Sequence, residues 1–257
     1  MKKIVVSMLL LALMILAGCG GEQSAKKIVI GIDDDFAPIS FYNEKNELVG
    51  FDIDLAKEAC KRMGVVAEFK TIDWDKKREE ILSGNIDLIW DGLDINEVRK
   101  EYMIFSKPYM DDRQIFLIRK GDNQEIYSEG DLKGKAVGMQ AGSSAENYLE
   151  ENKDLKNNLK EFKTYKKFRN GINSLKSGEI DVFICDELIA RYEMNANPDQ
   201  LEIIEVKTGF VTEVAIGFSK ENTELRDKVQ NVFDEMIKDG TAKRISEKWF
   251  NADLIKQ

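Results

Sequence analysis

Histidine is absent from the 257 residues. That gap excludes Ser-His and Cys-His nucleophile pairs, histidine metal sites and a histidine proton switch. Cysteine is nearly as scarce: Cys19, Cys60 and Cys185 are the only three, and none are spaced for zinc. No Gly-x-Gly-x-x-Gly follows the first apolar stretch, and there is neither a Gly-Lys-Ser/Thr phosphate loop nor a Gly-x-Ser-x-Gly elbow. Basic residues number 38 against 47 acidic ones, a formal charge of −9 with no basic block. Such a chain is poorly made for holding nucleic acid through its phosphates. Nothing in this inventory calls for a cofactor or a metal.

The remaining composition is that of a folded protein: 43% apolar residues to fill a core and 33% charged residues for a wet surface. At the start, Lys2 and Lys3 precede the apolar run Ile4–Leu16, broken only by Ser7. At about 13 residues it suits a signal-peptide core and falls short of the ~20 that span a bilayer. Leu16-Ala17-Gly18-Cys19 then resembles the lipobox of bacterial lipoproteins. The resemblance implies a leader over 1–18, a diacylglyceryl group on the Cys19 sulfur and a flexible tether over 19–26. Cys60 and Cys185 lie in apolar patterns and are expected to be small buried residues rather than a disulfide.

Strand-like and helix-like stretches alternate, the signature of an α/β fold with largely parallel sheets. Expected strands are Lys27–Asp33, Val65–Ile72, Ile86–Trp90, Arg113–Arg119, Lys135–Gln140, Ile180–Asp186 and Val211–Phe218. Expected helices are Asp52–Met63 stopped by Gly64, Trp74–Ser83 capped by Asp73, a short one capped by Asn96, Ser144–Asn152, and Lys167–Ser177. Two more fill 221–250, with Leu225, Val229, Val232, Phe233, Met236 and Ile237 in one apolar stripe. One echo stands out. Ser83-Gly84-Asn85-Ile86-Asp87 and Ser177-Gly178-Glu179-Ile180-Asp181 each join a helix to a buried strand that ends on an acid, Asp91 or Asp186. Two similar lobes follow, with polar groups at the carboxyl edges of their sheets, where open α/β sheets bind ligands.

The ordered blocks Gly50-Phe51-Asp52-Ile53-Asp54, Ile72-Asp73-Trp74-Asp75, Gly92-Leu93-Asp94-Ile95-Asn96-Glu97-Val98-Arg99, Phe105-Ser106-Lys107-Pro108-Tyr109, Gly142-Ser143-Ser144 and Asp239-Gly240-Thr241 extend this pattern. With them the chain resembles the bacterial solute-binding proteins for amino acids (extracellular solute-binding proteins, family 3), the receptors of ABC importers. The resemblance implies the two-lobed type II periplasmic-binding-protein fold, with two sheets joined by two crossing strands and the ligand cleft between. Lobe 1 would take 27–112 and 217–257, and lobe 2 would take 113–216, with crossings near Asp111–Phe116 and Val211–Phe218. It further implies a non-enzymatic, monomeric, extracytoplasmic protein that hands a free amino acid to a membrane permease and touches the membrane only through its lipid. An acid-catalysed lyase on the same scaffold, or a sensor for a separate signalling partner, are the competing readings.

The resemblance also assigns residues. Arg99 would grip the ligand α-carboxylate with its guanidinium fork. Ser144 would meet that carboxylate at a helix start, and Asp186 would take the α-ammonium. Phe36 and Trp74 would flank the ligand side chain, and Asp33 and Asp52 would point at its distal end. Gly92, Gln140 and Ser143 complete the expected lining. Asp94 stands where the family usually has Ser or Thr, and Asp91 replaces a small or amide residue. Asp94 either adds a carboxylate beside the ligand ammonium or pairs with Arg99. Counting Asp33, Asp91, Asp94 and Asp186 against Arg99 gives a strongly acidic site, so we expect a basic amino acid such as lysine, arginine or ornithine.

Overall fold

The computed structural model describes residues 26–122, 125–204 and 211–256. The expected leader, Cys19 and the tether up to residue 25 lie outside the described residues. The chain opens with β1 (Lys27–Ile32), a hairpin-like trio β2 (Asp35–Phe36), β3 (Ser40–Tyr42) and β4 (Leu48–Val49), helix α1 (Phe51–Arg62) and β5 (Val66–Thr71). After a 3-10 turn at Trp74–Lys76 come α2 (Lys77–Leu82), β6 (Leu88–Ile89), α3 (Glu97–Lys100), β7 (Met103–Phe105) and the long β8 (Met110–Arg119). There follow β9 (Ala136–Gln140), α4 (Ser144–Glu151), α5 (Lys153–Asn158), β10 (Glu161–Tyr165), α6 (Phe168–Ser177), β11 (Val182–Asp186), α7 (Glu187–Ala196) and β12 (Leu201–Ile204). The chain ends through β13 (Val211–Val214), β14 (Gly217–Ser219), α8 (Thr223–Lys238) and α9 (Thr241–Phe250).

Two main sheets result. One has the order β5-β1-β6-β14-β7 and the other β10-β9-β11-β8-β12, with β13 paired to β8. Each has a parallel core closed by antiparallel strands: β14 against β6 in the first, β8 against β11 in the second. The two connecting segments run side by side, with Met110 opposite Val214 and Arg113 opposite Val211 in an antiparallel ladder. This ladder joins the two sheets.

The repeated sequence block is one device used twice. Gly84 and Gly178 follow their helices with φ of 71° and 81°, the left-handed region that glycine adopts without steric cost. Ile86 and Ile180 then enter the core, where each lies against a glycine of the neighbouring strand: a Cβ on Gly31 or on Gly138 would stand 2.6 Å from the isoleucine Cδ1. Asp87 and Asp181 lock the register. Asp87 donates its N–H to Val29 O and accepts Val29 N–H on Oδ2 at 2.7 Å; Asp181 does the same with Ala136, at 2.8 Å. Each register carries an acid toward the cleft: Asp91 two residues past β6, and Asp186 as the last residue of β11.

The C-terminal helices close the first lobe. Val229, Phe233 and Met236 are buried, with Leu225, Val232 and Ile237 half-buried beside them. The Phe233 ring meets Trp90 and Tyr109 edge-on at 5.7 and 5.6 Å, and Phe250 meets Phe51 at 5.0 Å. Cys60 and Cys185 are free and buried. Two local expectations are corrected. Asp73 does not cap its helix, because its carboxylate accepts Lys166 Nζ at 3.1 Å instead. The segment Ile86–Trp90 yields only the two-residue ladder Leu88–Ile89, since the turn at Asp91 and Gly92 pulls its end out of the sheet.

Gly171 in α6 tests the packing of the second lobe. Alanine is worth ~1 kcal/mol more than glycine in a helix interior, but a Cβ here would lie 2.1 Å from Phe183 Cε2. The Phe183 ring is itself held edge-on by Phe168 at 5.1 Å. Overpacking of this kind costs ~1–3 kcal/mol, so Gly171→Ala should lower the urea midpoint of unfolding rather than raise it.

Candidate functional site

Eleven side chains and turns from both lobes surround one small cavity of about 20 Å³: Asp33, Phe36, Trp74, Asp91, Gly92, Asp94, Arg99, Gln140, Ser143, Ser144 and Asp186. Asp33 follows β1 and Asp91 follows β6, so both sit at the carboxyl edge of the first sheet. Asn96 accepts Arg99 N–H on Oδ1 at 2.8 Å, a cap that fixes α3 and presents Arg99 inward. On the second lobe, Gln140 ends β9, Ser143 caps α4 by accepting Glu146 N–H at 3.2 Å, Ser144 opens that helix, and Asp186 ends β11.

The two lobes touch directly here. Ser144 Oγ donates to Asp94 Oδ2 at 2.5 Å, and Gln140 Nε2 donates to Asp33 Oδ2. Lys167 Nζ reaches across to Asp33 Oδ1 at 3.0 Å and Asp34 Oδ1 at 2.6 Å. The Gly142 carbonyl accepts from two cations of the first lobe, Lys77 Nζ at 2.7 Å and Arg99 Nη2 at 3.3 Å. Gly142 has φ 73°, and a Cβ on it would stand 2.8 Å from Asp75 Cα, so this approach requires glycine.

Arg99 is 2% exposed. Its Nη1 donates to the backbone carbonyl of Asp94 at 2.7 Å, and its Nε has no acceptor. The guanidinium lies 6.0 Å from the Trp74 ring centroid. Burial lowers its pKa, while the Asp94 charge counters that shift. Asp94 engages it through the main chain; the carboxylate takes Ser144 on one oxygen and leaves Oδ1 without a donor. Of the two expected roles for Asp94, side-chain pairing with Arg99 is therefore corrected.

The acids respond to burial. Asp91 is fully buried, accepts Asp33 N–H at 2.5 Å, and has its pKa driven well above the usual range, first by desolvation. Asp33 is raised by burial and held back by Lys167. Asp186 is pushed up to about 6 by burial and by the Asp94 charge.

Asp52 does not belong to the cavity wall. It lies behind Gly92, accepting Gly92 N–H at 2.6 Å and the Tyr109 hydroxyl at 2.8 and 2.9 Å. Its helix-start position aims it at the turn beneath the site rather than into it. Three charged groups were not foreseen. Lys77, Lys167 and Asp112 have no motif of their own; Lys77 is one basic residue in Lys76-Lys77-Arg78, and only the fold shows that it is 5% exposed while its neighbours face water. Burial lowers the Lys77 pKa well below the ordinary lysine value, with the Arg99 charge adding to the effect.

Comparisons with known proteins agree on one relationship. The model of the family described as bacterial extracellular solute-binding proteins, family 3, matches residues 28–252. The L-cystine-binding protein TcyJ of Escherichia coli is 31% identical over 89% of this chain and 84% of its own length. The ABC transporter arginine-binding protein 1 of Escherichia coli is 30% identical over 97% of this chain and 99% of its own. A substrate-binding protein of an ABC uptake transporter from Streptococcus pneumoniae, solved with bound histidine, superposes with a TM-score of 0.84 at 34% identity. That superposition covers 90% of this chain and 95% of the other.

Asp52 generates a pH prediction. Burial is the main cause of its raised pKa, about 7, against about 3.9 in an unfolded chain. The folded state therefore holds the proton more tightly, and stability falls as pH rises from about 4 to 7. Asp52→Asn abolishes that titration, so its stability relative to the parent should shift in the variant's favour by a few kcal/mol between about pH 4 and pH 8. Urea unfolding of both proteins at the two pH values checks this.

Proposed function

The chain belongs to the bacterial extracellular solute-binding proteins, family 3, with their two-lobed type II periplasmic-binding-protein fold, and from that premise we propose that it is the binding component of an amino-acid ABC importer. Its named relatives are binding proteins rather than enzymes. In this reading a free amino acid is captured between the lobes, which close on it and present it to the permease. The supporting observation is that Arg99 of the first lobe, buried and with Nε lacking an acceptor, shares one cavity with Ser144 and Asp186 of the second. A zwitterion supplies what both sides need: a carboxylate for the fork and helix start, an ammonium for the acid.

A basic side chain is the preferred cargo. Relatives are named for arginine and, in a solved complex, hold histidine. Lys167 offsets the charge of Asp33, which moves the argument onto Asp91, whose buried Oδ1 has no donor. Outside the described residues, Cys19 would carry the lipid that keeps the protein at the cell membrane; no described helix is long and apolar enough to cross one. Cys19→Ser should then move the protein from the membrane fraction to the medium or periplasm.

A thermal-shift panel of twenty amino acids plus ornithine tests the assignment. A ligand at 100 times its Kd adds about 2.7 kcal/mol of stability. Arginine, lysine or ornithine should raise Tm most; superiority of acidic or aliphatic amino acids would sink the basic preference, and no response to any would sink the reading. Arg99→Ala should weaken binding by ~2–5 kcal/mol, or roughly 30-fold to several thousand-fold, with unchanged affinity removing Arg99 from the site.

A further inference from the structure

Three carboxylates converge beside the β8–β13 ladder. One oxygen from each of Asp94, Asp112 and Asp186 lies within 4.8 Å of the others. They come from three parts of the molecule: the turn after β6, the crossing strand β8 and the end of β11. The ladder sets this arrangement, because Asp112 faces Thr212 in β13 and Asp186 faces Gln114 in β8. Asp94 and Asp112 are 4% and 7% exposed, and each has one carboxylate oxygen, Oδ1, with no donor. Gln114 Nε2 is shared between Asp186 and, at 3.4 Å, Asp112. Arg99 directs its fork at the carbonyls of Asp94 and Gly142, so it lends the three acids charge only at longer range.

We infer that Asp112 is a further ligand-positioning residue that completes, with Asp94 and Asp186, a three-carboxylate seat for the ligand's α-ammonium, and that this ammonium enters in exchange for a proton. An ammonium has three N–H donors diverging from one nitrogen, one for each carboxylate. Without a cation, three like charges this close cannot all stay ionised. The Asp112–Asp186 pair then carries a proton between its two carboxyls. When the ammonium arrives, that proton leaves to solvent: one positive charge in, one out. The inference rests on the amino-acid reading above, and adds to it a residue and a proton count.

The other titratable groups around the seat leave the exchange to the acids. Arg99 faces it from the first lobe and keeps its charge throughout. Cys185, beside Asp186 on β11, is pushed further up by burial and by the acids themselves, so it stays neutral. Burial raises the Asp112 carboxyl well above the usual range, and the Asp186 and Asp94 charges raise it further. Both partners of the pair are raised, Asp186 to about 6 and Asp112 well above the usual range, so the exchange extends up through the mildly acidic range. Free protein binds more protons than complex there, so affinity rises with pH, roughly tenfold per unit for each proton released.

Isothermal titration of the full chain with L-arginine, and with L-glutamine as a comparator sharing only the α-amino acid group, reads this directly. Run at about pH 6 in two buffers of different ionisation heat, wild type should release about one proton per ligand. Its Kd should fall roughly tenfold from about pH 5 to pH 6. Asp112→Asn should cut the proton release below half and flatten the pH dependence, while Asp111→Asn, on the exposed side of the same strand and paired with Lys256, leaves both unchanged. Should Asp112→Asn not fold, Asp94→Asn with Asp112 intact must show the same loss. Binding without proton release in wild type, or an Asp112→Asn variant with the wild-type proton count, overturns the inference while leaving the amino-acid reading intact. Saturable binding of calcium or manganese alone that arginine fails to displace overturns it in favour of a metal seat. If neither amino acid binds, the functional reading fails and the inference with it.

Discussion

Charge buried between two lobes is the constraint on which the rest of this structure depends. Asp33, Asp91, Asp94 and Asp112, with Lys77 and Arg99, are all less than a tenth exposed. Leaving any one of them ionised and unpaired costs several kcal/mol. The molecule compensates across the cleft: the Gly142 carbonyl for Lys77 and Arg99, Ser144 for Asp94, Gln140 and Lys167 for Asp33. Lobe closure and site electrostatics are therefore one interaction. A side chain that alters the charge of the site alters how firmly the lobes meet.

The scaffold serves this junction by repetition. Isoleucine on glycine and aspartate on a backbone N–H recur in both lobes, at Ile86, Gly31 and Asp87 and again at Ile180, Gly138 and Asp181. Each copy sets the height of a strand, and hence the position of the acid that follows it. Below the first-lobe copy, Asp52 and Tyr109 anchor the Gly92 turn. Precision in the cleft thus comes from short local contacts, which a sequence can carry, and from the β8–β13 ladder, which joins segments about a hundred residues apart and which it carries only weakly.

That division explains what was legible. Much of the strand and helix order, the twofold echo, the Asn96 cap and the gathering of eleven of the twelve named residues round one cavity could be read because each rests on local spacing or on an ordered motif. By contrast, α5, β10, α7 and β12 were not anticipated. Asp52 was misplaced because its role is one layer deep: a helix-start acid aimed at a turn looks, in sequence, like one aimed at a ligand. Lys77, Lys167 and Asp112 were invisible for the opposite reason. Lys and Asp are ordinarily surface residues, and only the meeting of distant segments buries Lys77 and Asp112 and brings the half-buried Lys167 onto Asp33. The count of one site cation against four acids was accordingly too stark, since Lys167 bonds Asp33 from the other lobe.

The same contacts bear on how the protein would release its cargo. A ligand shifts a conformational equilibrium only by the difference in its affinity for the two forms. Here the closed form already satisfies much of itself, with Ser144 on Asp94, Gln140 on Asp33 and Gly142 on two cations. Closure alone thus recovers part of the desolvation cost, and a ligand adds only what these self-contacts leave open. What they leave open is specific: Arg99 Nε, Asp91 Oδ1, Asp94 Oδ1 and Asp112 Oδ1. Those atoms ask for one acceptor and for donors at separate points, which is what the zwitterionic ligand of the proposed function would supply. A ligand lacking one of these groups closes the lobes less far toward completion, and discrimination follows from the buried atoms it fails to satisfy rather than from the volume it fills.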